Sequence, residues 1–133
     1  MISTMSDLYD TCVFIDYWKG EPAAVALVES ARKNPGTILY SSLSAVELWQ
    51  YKGLDRKEEI EYTALTRHIL KEAPLNTEMA KKAGQWLRDY SRSQRMRIAA
   101  DALIVATAEQ AGATVYTKNC KDFQKFYSNV KSY

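Results

Sequence analysis

The sequence predicts an α/β domain, a three-layer α/β/α sandwich around a mainly parallel central sheet. Three short stretches share one form, an apolar residue, a tyrosine and then polar residues: Leu8-Tyr9-Asp10-Thr11, Leu39-Tyr40-Ser41-Ser42 and Val115-Tyr116-Thr117-Lys118. Segments of helical periodicity lie between them, and strands that alternate with helices build parallel sheets through crossover connections. The 133 residues are 47% apolar and 26% charged, enough for the core of a single domain spanning 1–133.

Taken in order, the first strand ends where Asp10 begins the polar residues. Residues 21–34 read as a helix opened by Pro22, with apolar positions at helical spacing. Gly36 punctuates the passage into the second strand. A helix over 44–52 follows that strand, and 56–72 is a strongly patterned helix with acids in its first turn, where the helix dipole favours them. A weak strand at Ala73–Leu75 is expected only at a sheet edge, because Pro74 has no N–H to donate. Residues 77–93 read as a helix, and an apolar helix follows with Asp101 near its start. Gly112 ends that helix before the third strand, and a further strand is expected near Val130.

The formal net charge is only +2, so the chain as a whole is not a basic nucleic-acid coat. Cys12 and Cys120 form no CxxC or Cys/His metal pattern and read as reduced thiols. MISTMSDLYD lacks both the basic start and the apolar core of a secretory signal. No apolar run approaches the roughly 18 residues of a membrane span. A soluble, cytoplasmic chain is expected.

From Ile98 to Ala108 the sequence is apolar except for Thr107 and one carboxylate, Asp101. Desolvating an unpaired charge there costs several kcal/mol. Ligands of open parallel sheets bind outside the carboxyl ends of the strands. Asp10 ends the first strand, Glu47 lies in the helix after the second, and Asp122 follows the third. Helices crossing back to the sheet begin at that same edge, which places Asp101 there too.

Each acid also has a plain explanation. Ser44-Ala45-Val46-Glu47 reads as a capping box, Asp101 as a favourable charge at a helix start, Asp10 as a turn acceptor, and Asp122 as a solvated loop acid. Convergence favours the other reading. Two carboxylates about 5 Å apart repel by roughly 3 kcal/mol at an effective dielectric near 20, so a cluster requires a cation or bound protons. Oxygen-only donors select a hard ion, Mg²⁺ or Mn²⁺.

The stretches LYDTCVFID, SSLSAVELWQYKG and AADALIVATAEQAGATVYTKNCKDF resemble the PIN-domain ribonucleases, and within them the VapC-type toxins of toxin–antitoxin pairs. The similarity runs from about Leu8 to Phe126. The resemblance implies a PIN-like fold and an acidic Mg²⁺ site of Asp10, Glu47, Asp101 and Asp122, with Asp10 and Asp101 foremost as direct ligands. It places Thr117 and Asn119 in support of the site, and gives Asp16 a structural or supporting role. It implies endonucleolytic hydrolysis of single-stranded RNA by metal-activated water, with Glu47 or Asp122 orienting or deprotonating that water. It also implies a homodimer and a cognate antitoxin. Cys12 departs from the small polar residue more usual in the family, and the stretch before Leu8 is longer than usual, which makes Met5 a candidate start.

Arg88, Arg92, Arg95 and Arg97 precede Asp101, while Lys118, Lys121 and Lys125 flank Asn119 and Asp122. Beside an acidic rim, Arg95, Arg97, Lys118 and Lys121 are read as phosphate contacts to RNA, against the plainer reading of a solvated face. His68, the only histidine, is expected at a helix surface or boundary. Tyr17, Trp18, Trp49 and Tyr51 form an aromatic group, part of which is expected to meet the second protomer or the antitoxin; helical spacing puts Trp49 and Tyr51 on different faces. Two further classes compete: a non-catalytic PIN-type binding scaffold, and an α/β phosphatase or phosphoaspartate protein. The latter is disfavoured because Cys12 stands where the dehalogenase-like pattern requires an aspartate.

Overall fold

The structure is a computed structural model describing residues 6–133, so the question of Met5 as a start lies outside the described residues. Five strands, β1 (Asp7–Tyr9), β2 (Ile38–Ser41), β3 (Lys71–Ala73), β4 (Thr114–Tyr116) and β5 (Val130–Lys131), form one sheet in the order β3-β2-β1-β4-β5. All four pairings are parallel, and Leu8 lies between Leu39 and Val115. The helices are α1 (Thr11–Trp18), α2 (Pro22–Lys33), α3 (Leu43–Trp49), α4 (Arg56–His68), α5 (Thr77–Leu87), α6 (Arg92–Ala111) and α7 (Cys120–Phe123). The expected parallel α/β sandwich is the fold observed.

Alternation along the strands explains the paired apolar and tyrosine residues. Leu8, Leu39 and Val115 point to one face and pack with Ile104, Val105 and Phe123 of α6 and α7. Tyr9, Tyr40 and Tyr116 point to the other face, among Val13, Phe14, Val28, Leu48 and Tyr62 from α1 to α4. Tyr9 reconciles its hydroxyl with burial by donating to the Leu27 carbonyl at 2.9 Å. Leu8, Val13, Phe14 and Ile104 are fully buried, each stabilising the fold by about 1.5–3 kcal/mol.

Several boundaries differ from expectation. Residues 11–18, not anticipated as a helix, form α1 directly after β1. The helix expected over 56–72 ends at His68, where Gly36 donates to the Ile69 carbonyl and the chain turns into the sheet. The edge strand therefore occupies Lys71–Ala73 rather than Ala73–Leu75, and Pro74 stops it. The helix expected over 44–52 runs from Leu43 to Trp49.

The helix expected over 77–93 stops at Leu87, because Ser91 and Gln94 make a reciprocal capping box that starts α6 at Arg92. Asp101 therefore sits in the middle of a 20-residue helix rather than near its start. Gly112 ends α6 in the left-handed conformation at φ 65°, as a C-cap glycine does. Among the described residues, no helix is long and apolar enough to cross a membrane.

Candidate active site

Asp10 follows β1 directly and caps α1 with an extended backbone, φ −69° and ψ 161°. Its carboxylate is buried, yet it is not stranded. The Thr117 hydroxyl donates to Oδ2 at 2.8 Å and the Cys12 thiol donates to the same oxygen at 3.2 Å. Burial raises its pKa above the ordinary carboxyl value, while the Thr117 and Cys12 hydrogen bonds act in the opposite direction. Thr117 is itself held, because its hydroxyl oxygen accepts the Asn119 N–H at 3.0 Å.

Cys12, the family departure, thus supports the site as a donor. Burial first, then the Asp10 charge, pushes its thiol up to about 11, so the donating proton stays on sulfur at neutral pH. The Lys118 N–H donates to its sulfur at 3.3 Å, joining the loop after β4 to the start of α1. Among the described residues Cys12 and Cys120 are both unpaired thiols, as their spacing implied.

Glu47 lies on α3 and accepts the Thr11 hydroxyl at 2.6 Å; that hydroxyl also stands 2.9 Å from Ser44 Oγ. The capping box read from Ser44 to Glu47 does not form. Ser42 is the N-cap and makes no side-chain cap bond, and Ser44 lies buried inside the helix. Glu47 is therefore not used up at a helix start. Burial raises its pKa, the Thr11 bond lowers it, and the Asp10 charge raises it further. Thr11 belongs to no spacing pattern; its place immediately after a strand-end aspartate is the signal that marks it.

Asp101 answers from α6. Its pKa is pushed up to about 7, first by burial and then by the charges of Asp10, Glu47 and Asp122, with Arg97 acting against the rise. Acids from four segments therefore act on one another, with Asp101 reaching the others from the middle of α6 rather than from the expected helix start. Asp10, Thr11, Glu47, Asp101 and Asn119 line one pocket of about 260 Å³, with Tyr51 also in its wall.

Asp122 is not in that wall. It lies on α7 and pairs with Lys125 at 3.4 Å, so it contributes charge rather than surface. Among the described residues, no three His, Cys, Asp or Glu side chains stand close enough together to hold a metal ion as placed. The donor set is nonetheless all oxygen and strongly anionic, around an open pocket. That suits a hard divalent ion that keeps several waters, and Asp10, Glu47 and Asp101 are the pocket carboxylates that could serve as its ligands.

Asp16 lies one α1 turn beyond the pocket. It accepts the Tyr133 hydroxyl at 2.5 Å and the Lys118 ammonium at 3.0 Å. Partial burial pushes its carboxyl up, but Tyr133 and Lys118 outweigh that and hold it below the ordinary value. Nothing local in the sequence announces Tyr133, whose partner is 117 residues away.

Arg95 and Arg97 are exposed on the first turns of α6, beside exposed Met96. Among the described residues, Arg95, Arg97 and Lys121 make no ion pair, whereas Lys118 is engaged by Asp16. Tyr17 and Trp18 both donate to Glu61 and so belong to the α1–α4 packing. Trp49 and Tyr51 do point apart: Trp49 packs 5.9 Å from the Tyr62 ring along an α3–α4 groove, and Tyr51 faces the acidic pocket. His68 is exposed at the end of α4.

A parallel α/β sheet with carboxylates gathered at its carboxyl edge is the architecture of an acidic-site α/β protein, and the sequence narrows it further. The PIN domain family matches residues 8–128. Ribonuclease VapC19 of Mycobacterium tuberculosis, in strains CDC 1551 / Oshkosh and ATCC 25618 / H37Rv, is 31% identical over 123 residues, covering 90% of this chain and 93% of the relative. The chain belongs to the PIN-domain family, in its VapC-type branch.

Solved structures agree on the fold. VapBC2 from Rickettsia felis, bound to a DNA fragment from its promoter, matches with a TM-score of 0.69 at 18% identity over 97% of this chain and 99% of that one. DNA-bound VapBC from Salmonella typhimurium matches with a TM-score of 0.66 at 20% identity, over 97% and 98%.

Proposed function

We propose that this protein is a Mg²⁺-dependent endoribonuclease, the toxin of a toxin–antitoxin pair, held in check by a cognate antitoxin and acting as a homodimer in the cytoplasm. The observation that carries the reading is the convergence of Asp10, Glu47 and Asp101 on one open pocket from three separate segments. The similarity to a VapC ribonuclease and the VapBC fold neighbours support it.

Asp10 and Asp101 hold the divalent ion, with Mn²⁺ the alternative to Mg²⁺. When bound, such an ion acidifies water and offsets charge on a phosphoryl group. Thr117 and Cys12 fix the Asp10 carboxylate, and Thr11 fixes Glu47. Between the two acids nominated as base, Glu47 is favoured because it lines the pocket, while Asp122 faces Lys125. Glu47 takes the proton from the attacking water, whose oxygen bonds to phosphorus as the P–O3′ bond breaks. The departing 3′ oxygen takes a proton from solvent, leaving 5′-phosphate and 3′-hydroxyl ends. Asn119 orients the water or a phosphate oxygen from the far wall. Arg95, Arg97 and Lys121 contact flanking phosphates, with Lys118 shared between RNA and Asp16.

A binding scaffold without catalysis is the second reading, favoured by the lack, among the described residues, of three such side chains close enough together to hold a metal ion as placed. Digestion of total RNA separates the two. The parent is expected to cut with Mg²⁺ and not with EDTA, while Asp10→Asn and Asp101→Asn are expected to be inactive. Variants that cut as well as the parent refute the site, and a parent that never cuts favours the scaffold.

A further inference from the structure

We propose that Tyr51 is a substrate-positioning residue of this site, a stacking platform for a nucleobase of single-stranded RNA next to the cut. The proposal rests on the nuclease reading above and extends it to how the nucleotide beside the cut is held.

Four observations carry it. Tyr51 is 47% exposed, a large aromatic surface left in water. It lies just past the end of α3 in the wall of the same pocket as Asp10, Glu47 and Asp101. Tyr51 also lines a small neighbouring cavity of about 80 Å³ with Trp18 and Glu58, so it borders two cavities at once.

The fourth observation is Gly53. A Cβ there would sit 2.7 Å from Cε2, Cζ and Oη of Tyr51, closer than real Cβ contacts come. Gly53 is not among the positive-φ glycines, so the backbone does not demand it. What benefits from the missing side chain is the ring, which leans into the space. Hydrogen bonds from Tyr51 N–H to the Leu48 carbonyl and from Leu54 N–H to the Tyr51 carbonyl, both at 3.1 Å, fix the turn that carries it.

Apart from Ile15, the other lining residues of the pocket carry polar or acidic groups, suited to a cation and a phosphate, and Tyr51 is the one aromatic ring among them. Single-stranded RNA offers unstacked bases to aromatic side chains, and stacking tolerates any base because each has a π-face. An aromatic ring beside the carboxylates supplies what they lack. It would hold the nucleotide adjoining the scissile phosphate and so bear on where the strand is cut.

The test uses a labelled single-stranded RNA oligonucleotide spanning one cut site mapped from total RNA, and the same oligonucleotide with an abasic residue placed in turn at each flanking position. Tyr51→Ala is expected to raise KM about 5- to 150-fold, the range a lost stack gives, with the loss in KM rather than kcat. Tyr51→Phe, which keeps the ring face, is expected to restore most of it. One abasic position should weaken the parent and leave Tyr51→Ala indifferent. Gly53→Ala is expected to raise KM by displacing the ring, and to add nothing in a Tyr51→Ala background.

If Tyr51→Ala cuts every oligonucleotide with parental KM, or loses only its affinity for an inhibitory protein, the stacking role is overturned while the nuclease reading stands. If the parent cuts no RNA, that reading falls and the stacking role with it.

Discussion

Thr117 Oγ donates to Asp10 Oδ2 at 2.8 Å across 107 residues of sequence. β1 and β4 are neighbours in parallel register, Tyr9 opposite Tyr116, so the residues just past their ends emerge side by side. The bond is wholly buried and aims a carboxylate that has few other partners. Thr117→Val should lower stability by about 1–3 kcal/mol, as loss of a buried donor to a charged group does, and reduce RNA cleavage. Thr117→Ser should keep both. Urea melts and cleavage rates check this; a Val variant with the parental midpoint would contradict it.

Asp101 gives the fold a pH dependence. Its carboxyl is raised from 3.8 to about 7 by burial and by neighbouring acids. The folded protein therefore holds the proton more tightly than the unfolded chain between those values. The associated stability is fully present below about 4 and lost as pH rises through about 7. Asp10 and Glu47, also raised, add in the same direction, while Asp16, held low, acts only below that window. A divalent ion binds the ionised form, so the Tm difference between Mg²⁺ and EDTA should widen from pH 5 to pH 8. Asp101→Asn should flatten the EDTA curve. A difference that stays constant with pH would count against the coupling.

Among the described residues Arg95 and Arg97 make no ion pair, and Arg97 is close enough to the rim to act on Asp101. Each phosphate neutralised on a single strand contributes about 0.7 to the slope of log K against log salt. The double change to Gln should therefore flatten that slope by roughly 1.4. Lys118→Gln should flatten it less, because Asp16 already engages that ammonium. Fluorescence anisotropy with labelled RNA across a salt series measures both.

Cys12 should be an unreactive thiol despite facing the pocket. A rise from 9.0 to about 11 lowers its thiolate fraction roughly 100-fold at neutral pH. Site-resolved mass spectrometry after iodoacetamide treatment should find Cys12 alkylated only on unfolding. Rapid alkylation in the folded protein would contradict its role as a proton donor to Asp10.

The parts of this molecule legible in the sequence are those with local signals. The Leu-Tyr, Leu-Tyr and Val-Tyr pairs mark strands with two different buried faces, and Asp10 and Asp101 stand out as carboxylates in apolar surroundings. The helix α1 escaped notice because TCVFIDYW is rich in β-branched and aromatic residues of modest helix propensity. The start of α6 is not legible from periodicity because its arginine-rich first turns show no apolar pattern; only the Ser91–Gln94 cap marks them. The Thr11–Glu47 and Tyr133–Asp16 bonds join residues distant in the chain, where no spacing rule reaches. Ser44-x-x-Glu47 shows the converse, a motif complete in sequence whose members the fold turns to Thr11 instead.

Calorimetric titration of the protein with MgCl₂ at pH 8 measures the ion-holding pocket most directly. The expected result is saturable binding in the parent that disappears in the Asp10→Asn, Asp101→Asn double variant while its far-UV circular dichroism stays unchanged. Parent protein that takes up no Mg²⁺, or a double variant that binds it equally well, would contradict the assignment.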